Sequence, residues 1–294
     1  MPATTLGIDY HVGTVQTGMS ADVVIWDRHP LEIGARADIV IIEGGVVLNA
    51  SADAAPLPSA PLIPAMTNPS NIPSDTPVRL EKVALLRARV FDGRRFRDGL
   101  QAVIIDCGFI KCLGNCAVPS DAVVFDLAGG TVMPGLVDVT SSLGTYDIGS
   151  EESTATGVSE ASYYRLARQG SSSGIQFATR HLSAAWRAGV TTAVSAPRAE
   201  RFIVGQSVAF RTGSKSRLDR GAIVRRSTGL HVTIGQAAKD DYLAGSIAGQ
   251  VEYLRASLRS GKTFVDYGNP WYDVIHNNLV LVVQCVVNSV KVFF

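Results

Sequence analysis

The run Val124-Phe125-Asp126-Leu127-Ala128-Gly129-Gly130-Thr131-Val132-Met133-Pro134-Gly135-Leu136-Val137-Asp138 marks a change of rhythm in the chain. Before it, short β-branched and apolar runs follow one another with turn residues between them. Val123–Leu127 is one such strand, Gly129-Gly130 a turn, and Thr131–Met133 the next strand. After it, from residue 134, strands alternate with segments of helical spacing. Val190–Ser195, Leu230–Ile234 and Leu279–Val283 read as strands. Ile175, Ala178, Leu182 and Ala185 form a helical stripe that ends at Gly189, a left-handed C′ position. Ser246 is placed to cap a second helix, whose stripe is Ile247, Val251, Leu254 and Leu258, with Gly261 ending it. Alternation of this kind implies a parallel sheet or a (β/α) barrel. About 160 residues is too few for a full eight-fold barrel, which needs about 250.

Upstream, Ala84–Val90, Ala102–Asp106 and Phe109–Leu113 are strand-like, with Cys107-Gly108 as a tight hairpin turn. That spacing suggests a β-sandwich or small barrel. Residues 51–77 hold seven of the 13 prolines and read as an extended linker. Residues 1–50 return to strand chemistry in Ala21–Asp27 and Asp38–Leu48, with Gly44-Gly45 suggesting a hairpin turn. The expected fold is α/β, a composite β-sandwich plus an incomplete (β/α) TIM-type barrel. The segments fall at 1–50, 51–77, 78–133 and 134–294.

Composition limits the function. The chain has 294 residues, 46% hydrophobic and 18% charged, with a net charge of +1. Charge is scattered, so nothing points to nucleic acid or an anionic membrane. The longest apolar run, Leu279–Phe294, is broken by Gln284, Asn288 and Lys291. It falls short of the about 20 residues that span a bilayer, and reads as a strand followed by an irregular end. No secretory signal pattern is visible at the start, so a cytoplasmic chain with reduced thiols at Cys107, Cys112, Cys116 and Cys285 is expected.

Several of these runs resemble the amidohydrolase superfamily. Leu6–Gly13, Gly18–Asp27, His29-Pro30-Leu31 and Ile42–Val47 resemble the end of such a protein, where the chain closes a small sandwich after the barrel. Val103–Gly114 and Val124–Asp138 resemble its beginning, where the sandwich leads into barrel strand one. His181–Pro197, with Trp186-Arg187-Ala188-Gly189-Val190-Thr191-Thr192, resembles the next helix and strand. Tail thus precedes head. Together with Cys112-Leu113-Gly114-Asn115-Cys116, this order resembles the junction in large fungal two-unit amidohydrolase-like proteins, some labelled carbohydrate esterase family 9.

The resemblance implies hydrolysis of non-peptide carbon–nitrogen bonds by water activated on a divalent metal, such as zinc. It also implies a small-molecule substrate. The first ligands would be a His-x-His pair at the end of strand one, where residues i and i+2 face the same way. Here Thr140 and Ser142 hold those positions. Neutral hydroxyls are poor ligands beside imidazole or carboxylate. No metal is therefore expected in this chain, and the further ligands belong to later strands than it contains.

The remaining candidates are weak. Asp138 is either a polar contact at the barrel mouth or a structural aspartate. His231 shares a strand face with Thr233 and is either a ligand-binding or a hydrogen-bonded structural histidine. The remaining histidines, His11, His29, His181 and His276, form no pair at ligand spacing. Cys107, Cys112 and Cys116 lack the second pair that a structural zinc site uses. Residues 149–174 read as either a mobile loop over a site or a plain surface loop. Three functions stay open: a non-catalytic portion of a hydrolase, a pseudo-enzyme scaffold or interaction module, and a truncated product. Self-association or pairing with a complementary unit would cover exposed strand edges.

Overall fold

The computed structural model describes residues 2–50, 78–148, 151–156, 170–197, 201–239, 245–263, 269–285 and 290–293. The expected linker at 51–77 and much of the 149–174 loop lie outside these. The described residues divide into two compact units. One is built mainly from Ile8–Val137 with Ser183–Thr192, the other mainly from Asp138–Leu182 and Ala193–Phe294.

The first unit is a sheet of nine strands: β1 (Val23–Trp26), β2 (Ala37–Ile42), β3 (Gly45–Asn49), β4 (Val78–Arg79), β5 (Lys82–Val90), β6 (Gln101–Asp106), β7 (Phe109–Gly114), β8 (Val123–Asp126) and β9 (Thr131–Pro134). Their order is β4-β3-β2-β1-β9-β5-β6-β7, with β8 paired to β5. The stretches before and after 51–77 therefore share one sheet, joined where β1 runs antiparallel to β9. The register sets Trp26 opposite Thr131, and Thr131 opposite Arg89 on β5.

The unbroken apolar run of β1 has a simple cause. Val23 and Ile25 enter a core with Ile39, Ile41, Leu85, Ile105 and Ile110. Val24 and Trp26 enter a second cluster on the opposite face with Val40, Ile42, Leu48 and Trp186. A strand buried on both faces has no polar alternation. The turn Cys107-Gly108 forms as expected, with φ of 50° and 85°. The β2–β3 turn is shifted by one residue from expectation. Its left-handed pair is Glu43-Gly44, at 51° and 75°, and Gly45 already belongs to β3.

The remaining strands are β10 (Leu136–Ser141) and β11 (Val190–Ser195), whose residues are divided between the two units, and, in the second unit, β12 (Ile203–Gln206), β13 (Val208–Arg211), β14 (Ile223–Arg225), β15 (Gly229–Ile234), β16 (Val280–Cys285) and β17 (Val290–Phe293). They form two sheets, β10-β11-β13-β14 and β12-β15-β16-β17. After the short α1 (Pro2–Thr5), the helices are α2 (Arg180–Arg187), α3 (Ile247–Thr263) and α4 (Pro270–Ile275). Strands β15 and β16 are parallel and are connected through α3 and α4, a βαβ arrangement.

Three expectations need correction here. Helix α2 begins at Arg180, so Ile175 and Ala178 precede it. Thr179 Oγ1 accepts from Leu182 N at 3.2 Å and Asp147 Oδ1 from Arg180 N at 3.0 Å, which fixes the start. Ile175 is buried with Leu182 and Phe210 without being helical. Gly261 does not end α3, which continues to Thr263. A Cβ at Gly261 would stand 2.6 Å from the Trp271 carbonyl oxygen, so glycine lets α3 and α4 approach. The end of the chain is not irregular at 290–293, because β17 pairs antiparallel with β16.

Candidate functional site

The segment after Asp138 is organised by its own hydroxyl groups. Asp138 and Thr140 lie on β10, which ends at Ser141. Ser141 Oγ accepts from Leu143 N at 2.9 Å and stands 3.3 Å from Ser195 Oγ at the end of β11. Ser195 Oγ donates to the Leu143 carbonyl at 2.7 Å. The strands run the same way, since Leu136 N bonds Gly189 O at one end and Ala196 N bonds Ser141 O at the other. Ser142 lies just past the strand. Its hydroxyl donates to Tyr146 Oη at 3.4 Å, and its carbonyl accepts from Thr145 Oγ1 at 2.7 Å.

His231 is buried at 7% exposure on β15, and Thr233 at 4% on the same face. Its register partners are Gly205 on β12 and Val282 on β16. Asp138 and His231 therefore sit on strands of different sheets. The other histidines go elsewhere. His181 packs edge-on against Tyr146, with ring centroids 5.5 Å apart, and His276 stacks on Tyr272 at 3.8 Å. His11 lies beside Tyr10, and His29 Nδ1 accepts from Leu31 N.

Two of the expected reduced thiols are joined. Cys112 and Cys116 form a disulfide, which also removes them as zinc ligands. Gly114, with φ of 121°, turns the chain between them as β7 ends, and their Cα atoms come to 6.0 Å, within bonding reach. Cys107 is a free thiol at the exposed turn. The Asp106 carboxylate beside it pushes its pKa up, which disfavours the reactive thiolate.

Ser142 contributes a neutral hydroxyl already bonded to a phenol. Among the described residues, no group of three or more His, Cys, Asp or Glu is placed to hold a metal ion. Also among these residues, no helix is long and apolar enough to cross a membrane.

No protein-family model matches the chain. It is 29% identical over 287 residues to the amidohydrolase tasK of Hapsidospora irregularis, a match that covers 89% of this chain. The chain spans 28% of the length of that curated relative. Its fold is similar to the crystal structure of an amidohydrolase from Thermotoga maritima MSB8, with a TM-score of 0.58 and 20% identity. That likeness covers 69% of this chain and 57% of the other.

The chain is amidohydrolase-like. In this amidohydrolase-like chain two clefts lie in the first unit. Trp26 lines both, and neither Asp138 nor His231 lines either. One also holds Asp27 and Asp38. Burial, and then the charge of Asp27, raise the Asp38 carboxyl to about 6. The sequence offered Trp26 and Asp38 only as strand residues, and these clefts were not anticipated from it.

Proposed function

We propose that these residues are scaffold in a metal-dependent hydrolase of non-peptide carbon–nitrogen bonds, acting on amides, cyclic amides or N-acetyl groups. Residues 1–50 and 78–133 supply sandwich strands from the end of one unit and the start of another. Residues 134–294 supply the first part of a (β/α) barrel. Zinc-activated water belongs to the whole protein, held by residues other than Thr140 and Ser142. The amidohydrolase likeness supports the reaction class. One observation carries the scaffold role: Ser142, where the resemblance places a ligating histidine, has its hydroxyl bonded to Tyr146.

The test is a zinc titration of the 294-residue chain by calorimetry, with turnover measured on N-acetyl and cyclic-amide substrates. The expected result is no one-to-one zinc binding and no hydrolysis above the protein-free rate. Stoichiometric zinc with turnover that His231→Ala abolishes would overturn the scaffold reading.

A further inference from the structure

We propose that the cleft of about 800 Å³ beside Trp26 binds a small organic carboxylate with a flat apolar body. The cleft belongs wholly to the nine-stranded unit, and the inference does not depend on the proposed hydrolase. Sheet register builds its floor. Arg89, Thr131 and Trp26 are neighbours in one cross-strand row over β5, β9 and β1, and all three line the cleft. Directly opposed residues in a sheet point to the same face. The row therefore sets the Arg89, Thr131 and Trp26 side chains next to one another on one face of the sheet.

Arg89 and Trp26 are donors only, and the Thr131 hydroxyl is the one group of the row that can also accept. Trp26 is 8% exposed, and its Nε1 is buried without a hydrogen-bond partner. An indole nitrogen can only donate, and a buried unmatched donor is costly. The other two cations in the cleft are engaged. Arg28 pairs with Asp27 at 3.2 Å and Arg97 with Asp92 at 3.6 Å. Asp27 is further held by Arg36 N at 2.9 Å. Among the described residues, no carboxylate pairs with Arg89, an exposed side chain. A carboxylate in the cleft would give the Arg89 guanidinium a partner through charge-assisted bonds, which its planar fork makes in parallel pairs, with the Thr131 hydroxyl as a further donor.

The walls select the rest of the ligand. Phe96 packs with Phe91 at 5.3 Å and with His29 at 6.3 Å between ring centroids. Phe96 and His29 line the cleft, with Leu100 beside them. A flat apolar body fits against these rings. The volume lies within the range of small-molecule sites. Two lining carboxylates oppose an anion, Asp27, which is paired with Arg28, and Glu32.

The experiment is titration of the 294-residue chain with benzoate and with benzamide, its neutral isostere, followed by calorimetry and by the indole N–H resonances. Saturable benzoate binding is expected, with one indole signal shifting, and benzamide about tenfold weaker or worse. Arg89→Gln, at an exposed position that spares the fold, should weaken benzoate about tenfold. Glu32→Gln should tighten it. Equal affinity for benzoate and benzamide, no binding of either, or an unchanged affinity in Arg89→Gln would each overturn the proposal.

Discussion

Gly44 and Gly108 hold two hairpin turns against each other so closely that neither tolerates a side chain. A Cβ on Gly44 would lie 2.8 Å from Gly108 Cα, and a Cβ on Gly108 would lie 2.8 Å from the Glu43 carbonyl oxygen. Both glycines are left-handed, at φ of 75° and 85°. One turn comes from residues before 51–77 and the other from residues after, so the contact fastens two distant stretches into one sheet.

Gly108→Ala should therefore destabilise the chain by about 2–4 kcal/mol, combining left-handed strain with backbone overlap. Gly99→Ala separates the two causes. Gly99 has φ of 70°, and a Cβ there would meet nothing within 4 Å, so it should lose only about 1–2 kcal/mol. Urea unfolding of both variants measures the difference. Equal losses would show that the turn contact contributes nothing.

Asp38 predicts a pH dependence of opposite sign to the usual aspartate. Its folded pKa is raised to about 6 from an ordinary 3.8, so between these values the folded state holds more protons than the unfolded one. Stability from this group is then fullest below pH of about 4 and is lost as pH rises through about 6. The full shift corresponds to about 3 kcal/mol. Solvent screening of a partly exposed group reduces this to about 1–2 kcal/mol. Asp38→Asn should be more stable than the parent at pH 7 by that amount and should flatten the slope between pH 4 and 6. Parallel pH–stability curves for the two proteins would refute the assignment.

Local chemistry was legible where one residue type answers one geometric demand. Cys107-Gly108 was readable because few residues accept two successive positive φ angles. Ser246 was readable because its hydroxyl satisfies Gly249 N at the start of α3. The failures share a cause in tertiary structure. Ile175 has helical spacing, yet Thr179 and Asp147 start the helix only after it, at Arg180. Gly261 looked like a terminator because the need for glycine comes from Trp271 on another helix. The cleft could not be read at all, since Trp26, Arg89 and Thr131 become neighbours only through sheet register. At the β10 end, the places of Thr140 and Ser142 were legible, whereas the bond from Ser142 to Tyr146 depends on the turn that follows.

The Cys112–Cys116 bond predicts that reduction raises the number of titratable thiols in the denatured chain by two. Closing so short a loop restricts the unfolded chain modestly, and the chain-entropy model gives about 2 kcal/mol. Replacing both residues by serine should lower stability by about that amount and make it insensitive to dithiothreitol. An unreduced chain that already titrates four thiols would show that the bond does not form.

Ser195 is the residue at the β10–β11 end whose removal should cost most. It is fully buried, donates to the Leu143 carbonyl and meets Ser141 Oγ, which in turn accepts from Leu143 N. Ser195→Ala leaves the carbonyl without this donor and loosens the Ser141 contact. The expected loss is about 1–3 kcal/mol, the cost of an unmatched buried polar group. Ser153→Ala is the control. Its hydroxyl bonds the Glu151 carboxylate on the surface at 2.7 Å, where water replaces the lost donor, so the change should stay within about 0.5 kcal/mol. Hydrogen exchange adds a local readout: the Leu143 amide, held by Ser141 Oγ, should lose protection in Ser195→Ala and keep it in Ser153→Ala. Unchanged protection at Leu143 would mean that the turn stands without Ser195.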